Sequence, residues 1–586
     1  MRNRRIAFTG VVILLIFIGF ICRLAQIQLF ATTSFSRAHV NLITQSIAQR
    51  TSQLVINNGR GILLDRTGKV KLNDVEQPAL VLFPFLKNKQ WSVEKLSQII
   101  HVPATEIILA VRHAKQPFVF NEQSVKLTED QMKRISQLHL VGVQALKVRE
   151  LSKDWSGSYV LGTTKENPTE IQKLYPDLLK EGDITTRTPI GVLGMEKAYD
   201  PFLLSKNETK LLYHMDASGA PLFDTSVRVS SMDNTGYYPL KVKTTLDTTI
   251  QKLAEHEALK HGLQQGGVVL LDVRSSDLLS MVSLPQMDVH HPFVNGNQML
   301  KTQYPGSVFK VVTAAAAIQN NLVNNEERFN CNLDPYGTGN GERKLGALNF
   351  EDSFAQSCNY TFATLANRLM TTDDQALTRF SKALGLTEKV GWTDDVFHLQ
   401  NFQQFPDEES NVIWKKAADH THPKAIAQTA IGQLNVRLTP LSVANMMATI
   451  SRGGEKQSVR SATEVDYNQP NGVKLTIFPK EGLGDSELES YTILRLQALL
   501  RDVVQDKKGT GRVLADTLYP IAGKSGTAET DQGHTNEWFA GYFPADDPKY
   551  AMVVVNLDHH SRDHKTYEIY HDLVNDLYHL DSRRHP

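Results

Sequence analysis

Apolar residues follow three different patterns along the chain. Residues 6–22 form an uncharged, almost wholly apolar run, preceded by Arg2, Arg4 and Arg5 and closed by Arg23. Such a run sits at the short end for a membrane-spanning helix and exceeds the usual apolar core of a signal peptide. No small-x-small cleavage site follows it closely. A single-pass anchor over 6–24 is therefore expected, with residues 1–5 kept in the cytoplasm by their arginines and everything beyond on the outer side of the membrane. A cleaved signal peptide is the alternative.

Residues 25–235 mix short β-rich runs with helical ones. The segment 59–68 reads as a strand between glycine turns with a charged hairpin end, and 191–196 precedes a short helix. From about residue 236 the periodicity sharpens. Residues 240–246 alternate like a strand, and Asp247 caps a helix through Ile250, Leu253, Ala254 and Ala258. Two apolar strands, 267–271 and 278–282, flank the turn 274–277. Pro305-Gly306 predicts a turn, and Val308 to Ala317 a buried helix starting near Ser307. A polar loop over 332–342 and a helical segment around 357–359 follow. Pro440 then opens a helix whose Val443, Ala444, Met446, Met447 and Ile450 are core positions. Residues 521–528 read as a glycine-rich strand that lets another backbone come close, and 538–543 and 550–555 complete an antiparallel meander. The expected organisation is a mixed α+β domain over 25–235 and a second α/β (α+β) domain over 236–586, with an antiparallel sheet and a helical part.

Composition changes this picture little. The length exceeds what one core organises, and Lys+Arg and Asp+Glu balance at 63 each, so no global field favours nucleic acid. Of the three cysteines, Cys22 lies in the anchor. Cys331 and Cys358 permit one bridge that neither spacing nor composition demands, and no metal-ligand pattern of cysteines exists. Gly191 and Gly194 lack both the Gly-x-Gly-x-x-Gly pattern and a Walker lysine. The tail histidines (559, 560, 564, 571, 579 and 585) are mixed with charges and read as a solvated loop and terminal helix, so no metal is expected.

Candidate chemistry comes from three short patterns. Ser307 and Lys310, three apart at a helix start, share one face. A serine hydroxyl is a weak nucleophile until a base takes its proton, and an amine can be that base only if desolvation or a nearby cation lowers its pKa. Val308, Phe309, Val311 and Val312 supply apolar surroundings. Ser357 and Asn359 would diverge on an ideal helix, whereas a turn or helix start would let both reach one cleft. Lys524-Ser525-Gly526 lies on the glycine-rich strand. Taken singly, each has a plain structural reading: a helix cap, a polar turn, a tightly packed strand.

Together and in order, these patterns match the S-x-x-K, S-x-N and K-[T/S]-G signature of β-lactamases and penicillin-binding proteins. Over nearly its whole length the chain resembles a monofunctional class B penicillin-binding protein. The resemblance rests also on Arg60-Gly61-Ile62 with Asp65-Arg66-Thr67-Gly68, on Gly191 to Glu196, on Thr245-Leu246-Asp247 with Gln251, on Ile431-Gly432-Gln433 with Thr439-Pro440, and on Thr527-Ala528-Glu529. It implies a pedestal or dimerisation-like domain followed by a peptidoglycan D,D-transpeptidase domain that needs no cofactor and is inhibited by β-lactams. It also implies roles. Ser307 would be the nucleophile, Lys310 the base, Ser357 a proton relay, Asn359 a hydrogen-bond partner of the peptide, and Lys524 a source of positive potential. Ser525, Gly526 and Thr527 would bind substrate, and the N–H groups of Ser307 and Thr527 would form the oxyanion hole. Stem peptides ending in D-Ala-D-Ala are the implied substrate, and a glycan polymerase is a candidate partner. The alternatives are a D,D-carboxypeptidase or β-lactam hydrolase of the same fold, a non-catalytic scaffold of a wall-building complex, or a β-lactam sensor. Residues 326–330 faintly resemble the glutamate element of one β-lactamase class, but they precede Ser357 where that element would follow it.

Overall fold

The computed structural model describes residues 2–30, 32, 41, 51–57, 59–73, 75–120, 127–150, 158–181, 184–204, 209–214, 228–231, 237–288, 290–469, 472–484, 487–530, 532–560 and 563–584. The expected turn at 234–236 and His585 lie outside them. The chain divides into two compact units: Met1–Gly59, Val75–Glu150 and Lys206–Thr235 form one, and Arg60–Asp74, Leu151–Ser205 and Gly236–Pro586 the other. One joint falls between Thr235 and Gly236. The remaining joints lie inside 25–235.

In the first unit, Arg2–Ala25 is helical, and Phe8–Phe30 is long and apolar enough to cross a membrane, with none of it buried. A three-stranded sheet pairs Val75–Leu82 with Phe118–Val119 and Val143–Glu150. Leu80 and Leu82 of its central strand share a core with Leu96, Ile99, Ile107 and Ile135 from the helices Val93–Ile100, Ala104–His113 and Glu129–Gln137. The last of these begins with a reciprocal capping box between Thr128 and Gln131.

The second unit is built on a five-stranded antiparallel sheet of β1 (Gly266–Asp272), β2 (Leu278–Leu284), β3 (Ala522–Glu529), β4 (Thr535–Phe543) and β5 (Tyr550–His559), in the order β2-β1-β5-β4-β3. Seven of its helices matter here: α1 (Thr248–Lys260), α2 (Lys310–Gln319), α3 (Phe350–Ala355), α4 (Asn359–Thr372), α5 (Pro440–Ser451), α6 (Ser490–Gln505) and α7 (Lys565–Arg584). Val268 and Leu270 of β1, with Met552 and Val554 of β5, pack against Ile250 and Ala254 of α1 and Ile569 and Leu573 of α7. The alternate residues Val269, Leu271, Val553 and Val555 enter a separate core with α2 and α5. Both faces of the sheet are therefore covered, which is why its strands read as continuous apolar runs rather than as alternation.

The predicted caps form as the residue types require. Asp247 accepts from the N–H groups of Thr249 and Ile250, and Thr439 accepts from Ser442 N–H with Pro440 in the first turn of α5. Two early motifs prove to be parts of this second unit. Ile62–Leu64 pairs in parallel with Lys241–Thr244 in a four-stranded sheet completed by Ala462–Asp466 and Lys474–Ile477. Arg60 and Glu196, 136 positions apart, meet in a buried cluster. Arg60 Nε donates to Glu196 Oε2 at 2.7 Å, and its Nη2 lies 2.7 Å from Asp200 Oδ1. Asn73 Nδ2 donates to Glu196 Oε1, while Gly191 N–H and Tyr175 Oη–H donate to Asp200. With every carboxylate oxygen engaged, the guanidinium stays charged despite burial, its affinity for the proton raised by the two acids.

Removing Glu196 leaves Arg60 Nε and Asn73 Nδ2 without their acceptor in a dry site, with only Asp200 still paired to the guanidinium. Glu196→Ala is expected to destabilise this unit by about 3–5 kcal/mol, and Glu196→Gln to recover only part of that loss. Urea unfolding followed by tryptophan fluorescence measures both.

Candidate active site

Pro305-Gly306 does not lead straight into an α-helix. Gly306–Phe309 forms one turn of 3-10 helix, and α2 begins at Lys310. Ser307 is half-buried on that turn, whereas Lys310 is fully buried. The turn is fixed by close approach of two other backbone segments. Gly306 N–H donates to Gly432 O at 3.1 Å, and a Cβ on Gly432, whose φ is +77°, would lie 1.9 Å from Gly306 O. From the other side β3 closes in, because a Cβ on Gly526 would meet Pro305 O at 2.5 Å. Trp538 of β4 adds a hydrogen bond from Nε1 to Tyr304 O at 3.0 Å. The glycine of the 431–433 motif and the glycine of Lys524-Ser525-Gly526 thus serve one purpose, leaving room for the Ser307 turn.

Ser357 and Asn359 stand at the joint between α3 and α4. Ser357 takes a left-handed backbone conformation with φ +58°, Cys358 is the N-cap of α4, and Asn359 is its first residue. This break in the helix lets both side chains face Lys310. Lys310 Nζ donates to Ser357 Oγ at 3.1 Å, Ser357 O at 2.9 Å and Asn359 Oδ1 at 2.6 Å. All three acceptors are neutral. Burial, with the cations Lys524 and Arg343 nearby and only Glu342 opposing them, drives the Lys310 amine well below the ordinary lysine range. Among the described residues, Ser307 Oγ has no hydrogen-bond partner.

Lys524 and Gly526 share the face of β3 turned toward Pro305, Val308 and Phe354; the Lys524 ammonium position lies 5.7 Å from the Phe354 ring centre. Lys524 is fully buried, its amine donates to Ser525 O at 3.2 Å, and burial together with the Arg343 charge lowers its pKa to about 7. On the opposite face, Ser525 Oγ donates to Thr510 Oγ1 at 2.7 Å, and Thr527 is half-buried.

Residues 266–578 match the family model of the penicillin binding protein transpeptidase domain, and 55–235 match that of the penicillin-binding protein dimerisation domain. The chain belongs to the penicillin-binding protein transpeptidase family. It is 27% identical over 351 residues to the peptidoglycan D,D-transpeptidase PbpA of Mycobacterium tuberculosis, covering 54% of this chain and 66% of that relative, so it spans about two thirds of that protein's length. Stage V sporulation protein D of Bacillus subtilis is 24% identical over 531 residues (84% of this chain, 73% of the relative). Peptidoglycan D,D-transpeptidase MrdA of Haemophilus influenzae is 23% identical over 590 residues (87% and 83%). A chain from a solved structure described as "Structural coordination of polymerization and crosslinking by a peptidoglycan synthase complex" shares the fold, with a TM-score of 0.66, 21% identity and 97% of both chains covered.

Within this family fold, Lys310, Ser357 and Asn359 are joined by direct hydrogen bonds, Lys524 acts on Lys310 through its charge, and Ser307 stands one 3-10 turn before Lys310. Sequence reasoning missed Arg343, whose Nη2 donates to Ser357 O at 2.6 Å, because a lone arginine in a polar loop carries no spacing signal. It also left the Cys331–Cys358 bridge open, which the structure forms with Cα atoms 5.8 Å apart. Glu327, of the segment resembling a hydrolytic element, is paired with Arg368 at 2.8 and 3.0 Å. Glu257, His261 and Asp572 converge elsewhere, but Lys260 Nζ bonds both carboxylates at 2.9 and 2.8 Å, making an ion-pair network.

A methyl group on Gly432 would have to push Gly306, and with it Ser307, out of place. Gly432→Ala is expected to cost about 2–4 kcal/mol of stability and to slow labelling by a fluorescent penicillin at least about 100-fold, as oxyanion-hole losses do. Far-UV circular dichroism should remain that of the folded chain. Near-normal labelling would show that the turn relaxes around the methyl.

Proposed function

We propose that this protein is a peptidoglycan D,D-transpeptidase that cross-links stem peptides through an acyl-enzyme on Ser307. The observation that carries this reading is a fully buried lysine amine within hydrogen-bond distance of Ser357 Oγ, Ser357 O and Asn359 Oδ1, beside the Ser307 turn, where burial first and surrounding cations second disfavour its protonated form. A neutral Lys310 can take the Ser307 proton as Oγ attacks the carbonyl of the penultimate D-alanine. The oxyanion that forms is stabilised by the N–H groups of Ser307 and Thr527, from a turn and a strand held together by their glycines. Ser357, which accepts a hydrogen bond from Lys310, passes the proton to the leaving D-alanine nitrogen. The C–N bond breaks, and the acyl group stays on Ser307. An amine from a second stem peptide then attacks the ester, a new amide forms, and Ser307 regains its proton.

Ser525 and Thr527 offer hydroxyls to the terminal carboxylate, and Lys524, buried on the other face of β3, adds positive potential. The apolar helix Phe8–Phe30 supports a membrane anchor, with the second unit outside the membrane where its substrate is. The family-model match supports inhibition by β-lactams, and the peptidoglycan synthase complex that shares the fold supports a glycan-polymerase partner.

Ser307→Ala is expected to abolish covalent labelling by a fluorescent penicillin, and Lys310→Met to slow acylation by about 10²–10⁴-fold, the range of a lost general base. Intact labelling of Ser307→Ala, read by mass spectrometry of the adduct, would overturn the nucleophile assignment. Cross-linked product from two stem peptides, rather than only the trimmed peptide, separates transpeptidation from carboxypeptidase activity.

Lys524 gives a pH prediction of definite sign. In the free protein its pKa is about 7, and a bound carboxylate favours the ammonium form, so binding takes up a proton above pH 7. In the Ser307→Ala background, the Kd for a carboxylate-bearing β-lactam should rise between pH 7 and 8.5, by at most about tenfold per pH unit. Lys524→Met should flatten the dependence, as measured by equilibrium competition.

A further inference from the structure

The Ser357 turn needs an explanation of its own. A non-glycine residue at φ +58° is held against its preference, and that conformation is what brings Ser357 and Asn359 to Lys310. Locally, Ser357 N–H reaches Phe354 O at 3.2 Å and Cys358 N–H reaches Ser353 O at 2.8 Å, the pair of bonds that closes a helix end on a left-handed residue. Residues 331–346 add restraints from outside the helix. Cys358, between the two candidate catalytic residues, is covalently bound to Cys331. Cys331 begins a closed loop, its N–H donating to Gly346 O at 2.8 Å, while Asn332 Oδ1 accepts from Gly346 N–H and Asn332 O from Gly341 N–H. That loop carries Arg343, whose guanidinium shares the Ser357 carbonyl with Lys310, at 2.6 and 2.9 Å.

We propose that Arg343 is a positioning residue for the acyl transfer, delivered by the Cys331–Cys358 staple, that holds the Ser357 turn against Lys310. The proposal rests on the reading of Lys310 as the base. Its physical basis is twofold. A charged donor on the Ser357 carbonyl is a strong, directional hydrogen bond that holds an otherwise disfavoured turn. A guanidinium also cannot shed its charge, so it acts on the neighbouring amine at every working pH. The charged groups acting on Lys310 are Lys524 from β3, and Arg343 and Glu342 from the loop. Without Arg343, Glu342 faces Lys524 alone, and Lys310 binds its proton more tightly.

The test is the pH profile of the acylation rate constant for a fluorescent penicillin, with binding and acylation resolved by stopped flow, on the full chain in detergent. Arg343→Gln should move the acid limb to higher pH by about half a unit to one unit and lower the plateau rate about tenfold, with a smaller change in the binding constant. Arg343→Lys should return the limb toward the wild-type position while leaving the plateau lowered, because an ammonium keeps the charge but not the guanidinium geometry. Cys331→Ala should shrink the effect of Arg343→Gln in the double variant, since the guanidinium is no longer held in place. An acid limb unmoved in Arg343→Gln overturns the proposal, even if melting temperature falls, because a merely structural arginine would act on stability alone. If Ser307→Ala still labels, or wild type shows no acid limb, the base reading itself fails and this proposal falls with it.

Discussion

An amine removed from water must either meet an anion or give up its proton, and Lys310 meets no anion. It is fully buried, its acceptors are a carbonyl, a hydroxyl and an amide oxygen, and two cations stand nearby. The remainder of the second unit can be understood as the means of maintaining that unfavourable arrangement. The alanine-rich α2 lies in the core with Phe354, Phe362 and Leu365, so the amine has no route to solvent along its own helix. The break between α3 and α4 turns Ser357 and Asn359 inward, and the disulfide ties that break to Cys331. Misplacing the amine would be costly, because a buried polar group without partners is expensive.

The turn carrying Ser307 depends on a different constraint, steric rather than electrostatic. Three backbone segments, around Gly306, Gly432 and Gly526, come closer than any side chain would allow. β3 is the edge strand of a sheet covered on both faces, and the sheet's rigidity passes to the turn through the Gly526 contact and the Trp538 hydrogen bond. The Ser307 turn and the Thr527 strand are thus separate elements whose separation is set by backbone contact.

The dimerisation-domain match covers residues 55–235, yet Arg60–Asp74 and Leu151–Ser205 pack with the second unit. The Arg60, Glu196 and Asp200 cluster holds these segments in it, with its charges engaged and removed from water. A balanced charge cluster inside a core is costly to assemble and costly to break. It makes the two early motifs parts of the second unit's foundation, although both precede its main run of sequence.

Local chemistry is legible in the order of residues alone. The covered strands stand out as apolar runs, Asp247 and Thr439-Pro440 mark helix starts, and the ordered serine, lysine and asparagine patterns point to the site, because each depends on residues within a few positions of one another. What tertiary structure alone decides depends on residues far apart in sequence. The pairing of Arg60 with Glu196, the bond from Cys331 to Cys358, the seat of Gly432 against Gly306, and the reach of Arg343 to the Ser357 carbonyl carry no periodic signal. Spacing along a helix or strand tells which side chains share a face. Only the packed chain fixes which faces meet, and the lowered proton affinity of Lys310 depends on that meeting.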